Sequence, residues 1–542
     1  MKKSDKDQRR SQRVIARRGL VLGGLQLGVL GALGWRMRQL QVEQADEFRL
    51  LAEENRINVR LIPPARGLIY DRKGILIAAN TPNYRVVIVR EDAGDVEAVL
   101  KTLTDIVPLP EEDLARARKE IARRSPFVPV TVSDRLTWEQ FAEISVNVPA
   151  LPGITPEVGL SRDYPVNSDF AHVVGYVGPV SDYDLERLND DDPLLQIPRF
   201  QIGKTGVEAK MEYKLRGSAG NKRIEVNAAG RVMRELGREE GDAGANLQLS
   251  VDTALQNFAE ARLEGESAAV VVMDTAQGDI RAIASAPSFD PNKFVRGISG
   301  PDYSDLLKNT YRPLANKTVQ GTYPPGSTFK MVTALAALEA GVIGLGGTVF
   351  CPGHLRLGNR RFHCWKRGGH GHVNLNDSLK RSCDVYYYDV SQRVGIDKIA
   401  EMARKLGLGE RHDIPMSAVA EGLIPTRAWK QANRGEGWQK GDTLNASIGQ
   451  GFVLASPLQL AVMSARIATG LAIKPRLVRS IGGEDIPVEP PAPLGISSSN
   501  LRAVRRAMFE VSNIRGGTAW RTRIAEEDLR LAGKTGTSQV RN

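Results

Sequence analysis

An apolar run from Gly19 to Trp35, with Gln26 as its only strongly polar residue, follows a basic stretch at the start of the chain. Extended to Leu40, it reaches the ~20 residues at ~1.5 Å rise each that a bilayer crossing requires. Arg36 and Arg38 then snorkel to the interface. Downstream the apolar runs are shorter and mixed. Arg85 to Val89 and Val128 to Val132 suit strands, while Val96 to Leu103 and Glu111 to Arg124 suit charged helices. A new start comes near Asn246. LQLSVDTALQNFAEARL predicts a strand, a turn and an amphipathic helix, and SAAVVVMDTAQGDIRAIAS predicts a β-hairpin turning at Ala276-Gln277-Gly278. Farther on, Phe329, Met331, Val332, Leu335 and Leu338 recur at helical spacing behind Pro324-Pro325-Gly326. No long repeat or low-complexity tract is present.

These patterns divide the chain into a tail (1–18), a transmembrane anchor (19–40), an elongated α+β pedestal (41–245) and a final domain (246–542) in which helices flank an antiparallel sheet. At 542 residues there is room for several domains. The net charge of +11 invites a nucleic-acid reading, but +6 of it sits in residues 1–18, directly before the apolar run. That is the positive-inside signature, so the tail is expected in the cytoplasm and the rest outside it, with no nucleic-acid partner. A cleaved signal peptide is the rival, yet no clear small-x-small cleavage site precedes Trp35. Gly24 and Gly28 form a small-xxx-small pair suited to packing against another membrane helix, although glycine is also simply frequent in such spans.

Chemistry concentrates in the final domain. Ser327 precedes Lys330 by three residues on the predicted helix, which puts hydroxyl and amine on one face. A desolvated, neutral lysine can take the proton that keeps a serine from acting as a nucleophile. Ser-x-x-Lys alone is weak, since a chain this long shows about one or two by chance; a capping serine beside a solvated lysine is the ordinary alternative. Lys-Thr-Gly occurs twice. Lys204-Thr205-Gly206 leads into charged sequence, whereas Lys534-Thr535-Gly536 follows Leu529, Leu531 and Ala532, a stretch that predicts a strand edging an active site. Ser382-Cys383-Asp384 lies between the two and supplies a polar pair to bridge the lysines. Ser498-Ser499-Asn500 reads as a helix cap instead.

In this order the three elements resemble the motif set of penicillin-binding transpeptidases of class B, and among these the elongation-specific members. The resemblance covers nearly the whole chain. RGLIYDRKGILIAAN (from Arg66) and GKTGVEAKMEYKLRG (from Gly203) are similar to motifs of the family's N-terminal module, and GDTLNASIGQGFVLASPLQLA (from Gly441) to the stretch before its terminal strands. It implies a D-alanyl-D-alanine transpeptidase that cross-links peptidoglycan stem peptides in the periplasm, anchored by one pass through the inner membrane. Ser327 is the implied nucleophile, Lys330 the base and Ser382 a relay to Lys534. Lys534, Thr535 and Thr537 are expected to bind the substrate carboxylate. Gly536 lets the backbone approach the peptide, and Asp384, where the general pattern has asparagine, orients a substrate amide. The same resemblance implies acylation of Ser327 by β-lactam antibiotics and a membrane glycosyltransferase of the shape-and-elongation type as partner. The acyl chemistry requires no cofactor.

Three cysteines, Cys351, Cys364 and Cys383, share one segment with His354, His363, His370 and His372. Four thiolate or imidazole ligands satisfy tetrahedral zinc, while a Cys351–Cys364 disulfide beside a buried Cys383 is the alternative. Several elongation-type members hold a metal in this region, and carried over their ligands are Cys351, Cys364, His370 and Cys383, a structural zinc clamping the Ser382 loop.

The family normally continues past Lys-Thr-Gly, whereas this chain stops at Asn542. The expectation is a C-terminally incomplete domain whose Lys534 strand lacks a neighbour and which acylates poorly. Other classes fit less well. A β-lactam sensor needs several spans and a signalling domain, a β-lactamase needs a deacylating base, and a bifunctional polymerase needs a glycosyltransferase site before residue 246. None of these is visible. A scaffold of the wall-building complex remains as the alternative.

Overall fold

The computed structural model describes residues 5–39, 57–126, 128–197, 199–226 and 232–538. The fold is α+β and falls into two compact units, the first formed by residues 1–63, 84–157 and 219–241, the second by 64–83, 158–218 and 242–542.

In the first unit a helix spans Asp5–Arg38. Of the span expected across 19–40, residues 19–38 lie on this helix, and Leu22, Leu25, Leu27, Leu30 and Leu33 on it are exposed. Among the described residues, however, no helix is long and apolar enough to cross a membrane. Gln26, Arg36 and six glycines dilute its apolar character, and the side chains of residues 5–21 and everything at residue 40 lie outside the described residues. Farther along, Asp95 caps the helix Val96–Ile106 by accepting from the Ala98 amide. Val99, Leu100 and Leu103 of that helix pack with Leu114, Ala117 and Ile121 of the helix Glu111–Arg123, at the spacing that keeps one face apolar. Both cover a strand, Val130–Leu136, paired antiparallel with residues 84–88. A separate antiparallel sheet joins Ile57–Ile62, Gly220–Val226 and Val232–Glu239.

In the second unit β1 (Ile69–Tyr70) runs parallel to β2 (Leu247–Leu249). The helix α1 (Thr253–Arg262) starts where the Asp252 carboxylate accepts from the Leu255 amide. Next comes the expected hairpin, β3 (Ala268–Met273) and β4 (Ile280–Ala286). Its turn is held by Asp274 Oδ1, which accepts from the amides of Ala276 and Gln277. A 3₁₀ turn over Gly326–Phe329 leads into α2 (Lys330–Glu339). Two small pairings follow, β5 (Val349–Cys351) with β8 (Gly371–Val373) and β6 (His354–Leu357) with β7 (Arg360–His363). Then come α3 (Leu375–Lys380), α4 (Asp384–Val394), α5 (Ile396–Lys405), α6 (Arg427–Arg434), α7 (Lys440–Ser447) and α8 (Pro457–Thr469). Strand β9 (Val478–Ile481) pairs antiparallel with β2, and α9 (Ser498–Asn513) closes the core. Every residue of α2 from Lys330 to Leu338 is buried, as befits a helix that is apolar nearly all round. Each buried leucine there contributes about 1.5–3 kcal/mol, which fixes the turn carrying Ser327.

One expectation fails here. Residues 531–538 form no strand; a 3₁₀ turn, Glu527–Leu529, precedes an irregular run. The Leu529 and Leu531 side chains are exposed, so no packing face aligns this backbone as a strand. It is held instead where the Gly533 amide donates to Met508 O and Asn513 Nδ2 donates to Leu531 O.

Candidate active site

Ser327 lies on the 3₁₀ turn and Lys330 opens α2, so the turn sets their spacing. The turn is seated by glycine. Gly326 has φ +58°, and a Cβ there would collide with the Thr537 carbonyl. Its amide donates to Gly449 O at 2.9 Å. Residues 533–538 therefore pass directly over the serine turn, and Gly536 lies against Pro325 and Thr328.

The Lys330 ammonium is fully buried. It donates to Asp384 Oδ1 at 2.7 Å, Ser382 O at 2.9 Å and Ser382 Oγ at 3.1 Å, three acceptors for its three donors. It also lies over the Tyr387 ring at 5.7 Å. Lys534 Nζ approaches the same Ser382 hydroxyl from the other side at 2.9 Å and donates to Thr535 O at 2.9 Å. One hydroxyl thus links both lysines. Burial, and after it repulsion from Lys330, pushes Lys534 down to about 7 against the opposing pull of Asp384. Among the described residues no hydrogen bond joins Ser327 Oγ to Lys330.

Ser382 owes its position to an uncommon backbone conformation for a side-chain-bearing residue, φ +53°. Asp384 stands in the first turn of α4, where a carboxylate suits the helix dipole. Both its oxygens are engaged by the protein itself, since Oδ2 accepts from the Trp365 amide at 2.9 Å. The substrate-orienting role expected for Asp384 would use the second acceptor site of an oxygen that already holds Lys330 or the Trp365 amide. Thr535 Oγ1 shares a hydrogen bond with Thr518 Oγ1 at 2.7 Å, and Gln450 Nε2 donates to Thr537 O at 3.4 Å. Trp365, Thr518, Gln450 and Gly449 escape sequence reasoning because their contacts run mostly through backbone groups. Only the Gly449-Gln450-Gly451 triplet carries a signal, a run of glycines suited to close approach. Lys204-Thr205-Gly206 takes no part here, and Lys204 pairs with Asp184.

Cys351, Cys364, His370 and Cys383 come together as well. Their ligand atoms all lie within 4.8 Å of one another, and His370 Nδ1 is 3.7 Å from Cys351 Sγ and 3.5 Å from Cys364 Sγ. Tetrahedral bonds of ~2.3 Å to sulfur and ~2.0 Å to nitrogen would set such atoms roughly 3.6 Å apart, so the donor set and its spacing fit zinc. All three cysteines are free, without the Cys351–Cys364 disulfide. His354, His363 and His372 stand outside the cluster.

A family profile described as penicillin binding protein transpeptidase domain matches residues 268–542, and one described as penicillin-binding protein dimerisation domain matches 61–249. The chain is 38% identical over 526 residues to the peptidoglycan D,D-transpeptidase MrdA of Escherichia coli strain K12, covering 95% of this chain and 83% of that protein. It is 36% identical to the Acinetobacter baumannii protein of the same name, covering 99% and 80%. Among solved structures, a complex of penicillin-binding protein PBP2 and MreC from Helicobacter pylori superposes with TM-score 0.79 at 30% identity, covering 89% of this chain and 90% of that one. Pseudomonas aeruginosa PBP2 in complex with WCK 5153 gives 0.68 at 32%, covering 89% and 86%.

Proposed function

We propose that Ser327 is the acyl-carrying nucleophile of this chain, which belongs to the class B penicillin-binding transpeptidases. The protein is a serine-type peptidoglycan D,D-transpeptidase of cell-wall elongation. In the proposed cycle Lys330 first gives up a proton through the Ser382 hydroxyl to Lys534, the amine pushed down to about 7; Ser327 Oγ then attacks the carbonyl carbon between the two terminal D-alanines, and its proton passes to the neutral Lys330. The oxyanion forms between the backbone N–H groups of Ser327 and Thr537, donors worth ~3–4 kcal/mol each in comparable sites. The C–N bond breaks as Ser382 relays the proton to the departing amine. An acceptor amine then attacks the ester, loses its proton along the same path and restores the serine hydroxyl. Lys534, Thr535 and Thr537 hold the substrate's terminal carboxylate, and Gly536 admits the peptide. Asp384 keeps Lys330 against Ser382, and each of its oxygens, holding one donor, keeps a lone pair for a substrate amide.

The observation that carries this reading is the shared hydroxyl, with Ser382 Oγ 3.1 Å from Lys330 Nζ and 2.9 Å from Lys534 Nζ. The test is mass spectrometry after treatment with benzylpenicillin. One covalent adduct per chain is expected on the peptide containing Ser327 and none in Ser327→Ala; an adduct elsewhere, or no adduct, would overturn the assignment.

Cys351, Cys364, His370 and Cys383 would hold a structural zinc. With four protein ligands it leaves no open position for water, and the acyl chemistry does not pass through it. Residues 41–245 act as a pedestal and 246–542 as the transpeptidase domain. Residues 19–40 would anchor the protein in the inner membrane with the remainder in the periplasm, a reading supported by the basic tail and the exposed leucines of the first helix. A membrane glycosyltransferase of the shape-and-elongation type is the proposed partner. One structural relative, 29% identical with TM-score 0.69, comes from a structure described as the structural coordination of polymerization and crosslinking by a peptidoglycan synthase complex.

A further inference from the structure

The β6–β7 hairpin borders the Ser382 loop and takes no part in the acyl chemistry. From Ala340 to Asn376 the chain has five Lys or Arg residues and no Asp or Glu. The strand register sorts the hairpin into two faces. On the inner one Leu355 stands opposite Phe362 and Leu357 opposite Arg360, whose guanidinium lies over the Phe362 ring at 5.0 Å. On the outer face Arg356 stands opposite Arg361, and His354 opposite His363 with ring centroids 6.0 Å apart. Arg356, Arg361 and His363 are exposed. Like charges directly opposite one another weaken a strand pair. No acid of the protein relieves this one. Among the described residues none of the five cations joins an ion pair, and the next acid along the chain, Asp377, faces Arg381 at 3.6 Å. Arg367 adds to the same patch, since desolvation and then the Arg367, His354 and Arg361 neighbours lower the His363 imidazole from its usual value.

The patch runs to the rim of the active site through Trp365, Lys366 and Arg367, all exposed. Trp365 Nε1 donates to Arg381 O at 3.0 Å, one residue before Ser382. The Trp365 amide donates to Asp384 Oδ2 at 2.9 Å, and Asp384 Oδ1 accepts from Lys330 at 2.7 Å. A single carboxylate therefore separates the end of the hairpin from the catalytic base. Arg361 precedes Trp365 by four residues, ~14 Å of chain at full extension. A stem peptide of about four residues has the same reach. In the proposed cycle the acceptor is such a peptide, and it keeps its own terminal carboxylate while its amine reacts. Guanidinium forks match carboxylates in shape as well as charge.

We infer that the outer face of the β6–β7 hairpin, continued by Lys366 and Arg367, is the docking surface for the acidic stem peptide of the acceptor strand. This role deepens the proposed function and rests on it. In the step it serves, the acceptor nitrogen attacks the Ser327 ester, a C–N bond forms, the C–Oγ bond breaks and the amine's proton returns to Oγ. The test loads Ser327 of the full chain from a thioester donor and offers two acceptors. One is a tetrapeptide with a side-chain amine in its third residue and a free terminal carboxylate; the other is the same peptide as its terminal amide. Mass spectrometry of the products should show at least fivefold faster transfer to the acid, a preference that added salt reduces. In Arg361→Glu, Arg367→Glu the ratio should fall to about one, and in Arg361→Lys, Arg367→Lys it should largely return. Acylation of Ser327 by benzylpenicillin, which needs no acceptor, should keep its parental rate in both. Equal transfer to the two peptides, transfer to neither, or a preference that survives charge reversal would overturn the docking surface. So would a reversal variant that loses acylation and transfer in parallel, or one whose only loss is affinity for phosphatidylglycerol vesicles. If the parent forms the Ser327 adduct but shows no preference, the docking surface alone is refuted. Absence of the adduct would overturn the functional reading and the docking surface with it.

Discussion

Ser382 holds a left-handed conformation that disfavours any side chain with a Cβ, at a strain of order 1–3 kcal/mol. It persists because the Ser382 and Cys383 amides bond back to Leu379 O and Ser378 O, while Lys330 holds the Ser382 carbonyl. The hydroxyl it aims is the link between two amines, so Ser382→Ala should lower β-lactam acylation by about 10²–10⁴-fold. Ser382→Gly separates the two effects: its melting temperature should exceed that of the alanine variant as strain is relieved, while acylation measured with a fluorescent penicillin falls as far as in the alanine variant. The Lys534 amine, pushed down to about 7, is charged below that pH and neutral above it. As proton acceptor it must be neutral, and as carboxylate holder it must be charged. The saturating acylation rate should therefore climb as pH rises through about 7 while the half-saturating penicillin concentration also climbs. Lys534→Arg, which stays charged throughout, should flatten both curves; unchanged curves would remove Lys534 from the proton path. At this scale Lys330, Ser382 and Lys534 were expected together from the order of three short motifs, and their side chains meet; Ser327 was expected from its helical spacing to Lys330. The Trp365 amide on Asp384 was not, because every residue but proline carries a backbone donor.

The elements of the second unit follow from their apolar periodicity wherever one face is buried. α1 was readable from its amphipathic pattern, and the β3–β4 hairpin from the apolar runs around Ala276-Gln277-Gly278. The strand expected before Lys534 was not formed, because two exposed leucines mimic a pattern that no neighbouring surface completes. Packing of α1 on β4 also buries a charge that hydropathy could not flag. Glu260 Oε1 accepts from the Ser285 amide at 3.2 Å and from Gln256 Nε2 at 3.4 Å. Burial, with Asp169 adding to it and Lys317 and the Ser285 amide opposing, raises its carboxyl to about 7. A carboxyl raised on folding binds its proton more tightly in the native state. Its stabilising effect is complete below the unfolded value near 4.5 and disappears as pH rises through 7. Glu260→Gln keeps both acceptor contacts without the charge. Its melting temperature should exceed that of the parent at pH 8 and match it at pH 4.5; equal melting temperatures at pH 8 would show that Glu260 ionises there without penalty.

Across the second unit, distant stretches of sequence are tied by charges withdrawn from water. Glu208 accepts from Arg66 and Arg162, both at 2.7 Å, and Glu212 accepts from Arg66 at 2.7 Å and Arg216 at 3.0 Å. The sequence displayed all of these but Arg162 within two family-like motifs, and which carboxylate meets which guanidinium depends on a chain path that short-range patterns do not encode. Removing Glu208 leaves two buried guanidinium groups short of a partner, so Glu208→Gln should destabilise the second unit by about 3–5 kcal/mol, read as a lowered midpoint of urea unfolding. The residues proposed to hold zinc follow the same logic at shorter range. Cys383 stands between Ser382 and Asp384, and Cys364 directly precedes the Trp365 amide that holds Asp384. Two of the four proposed ligands are thus covalently adjacent to the groups that position Lys330. Binding energy at such a site is folding energy for the loops that supply the ligands. Stripping zinc with a strong chelator should therefore lower both the melting temperature and the rate of Ser327 acylation, and restoring zinc should recover both. Cobalt in its place should show the sulfur-to-metal charge-transfer absorption of thiolate ligation, and that band should weaken in Cys351→Ser. Because Cys351 touches neither Ser382 nor Asp384 in sequence, that variant separates the effect of losing the ion from that of disturbing the catalytic loop. Protein that contains no zinc by elemental analysis, and whose acylation rate ignores the chelator, would rule the metal out of this arrangement.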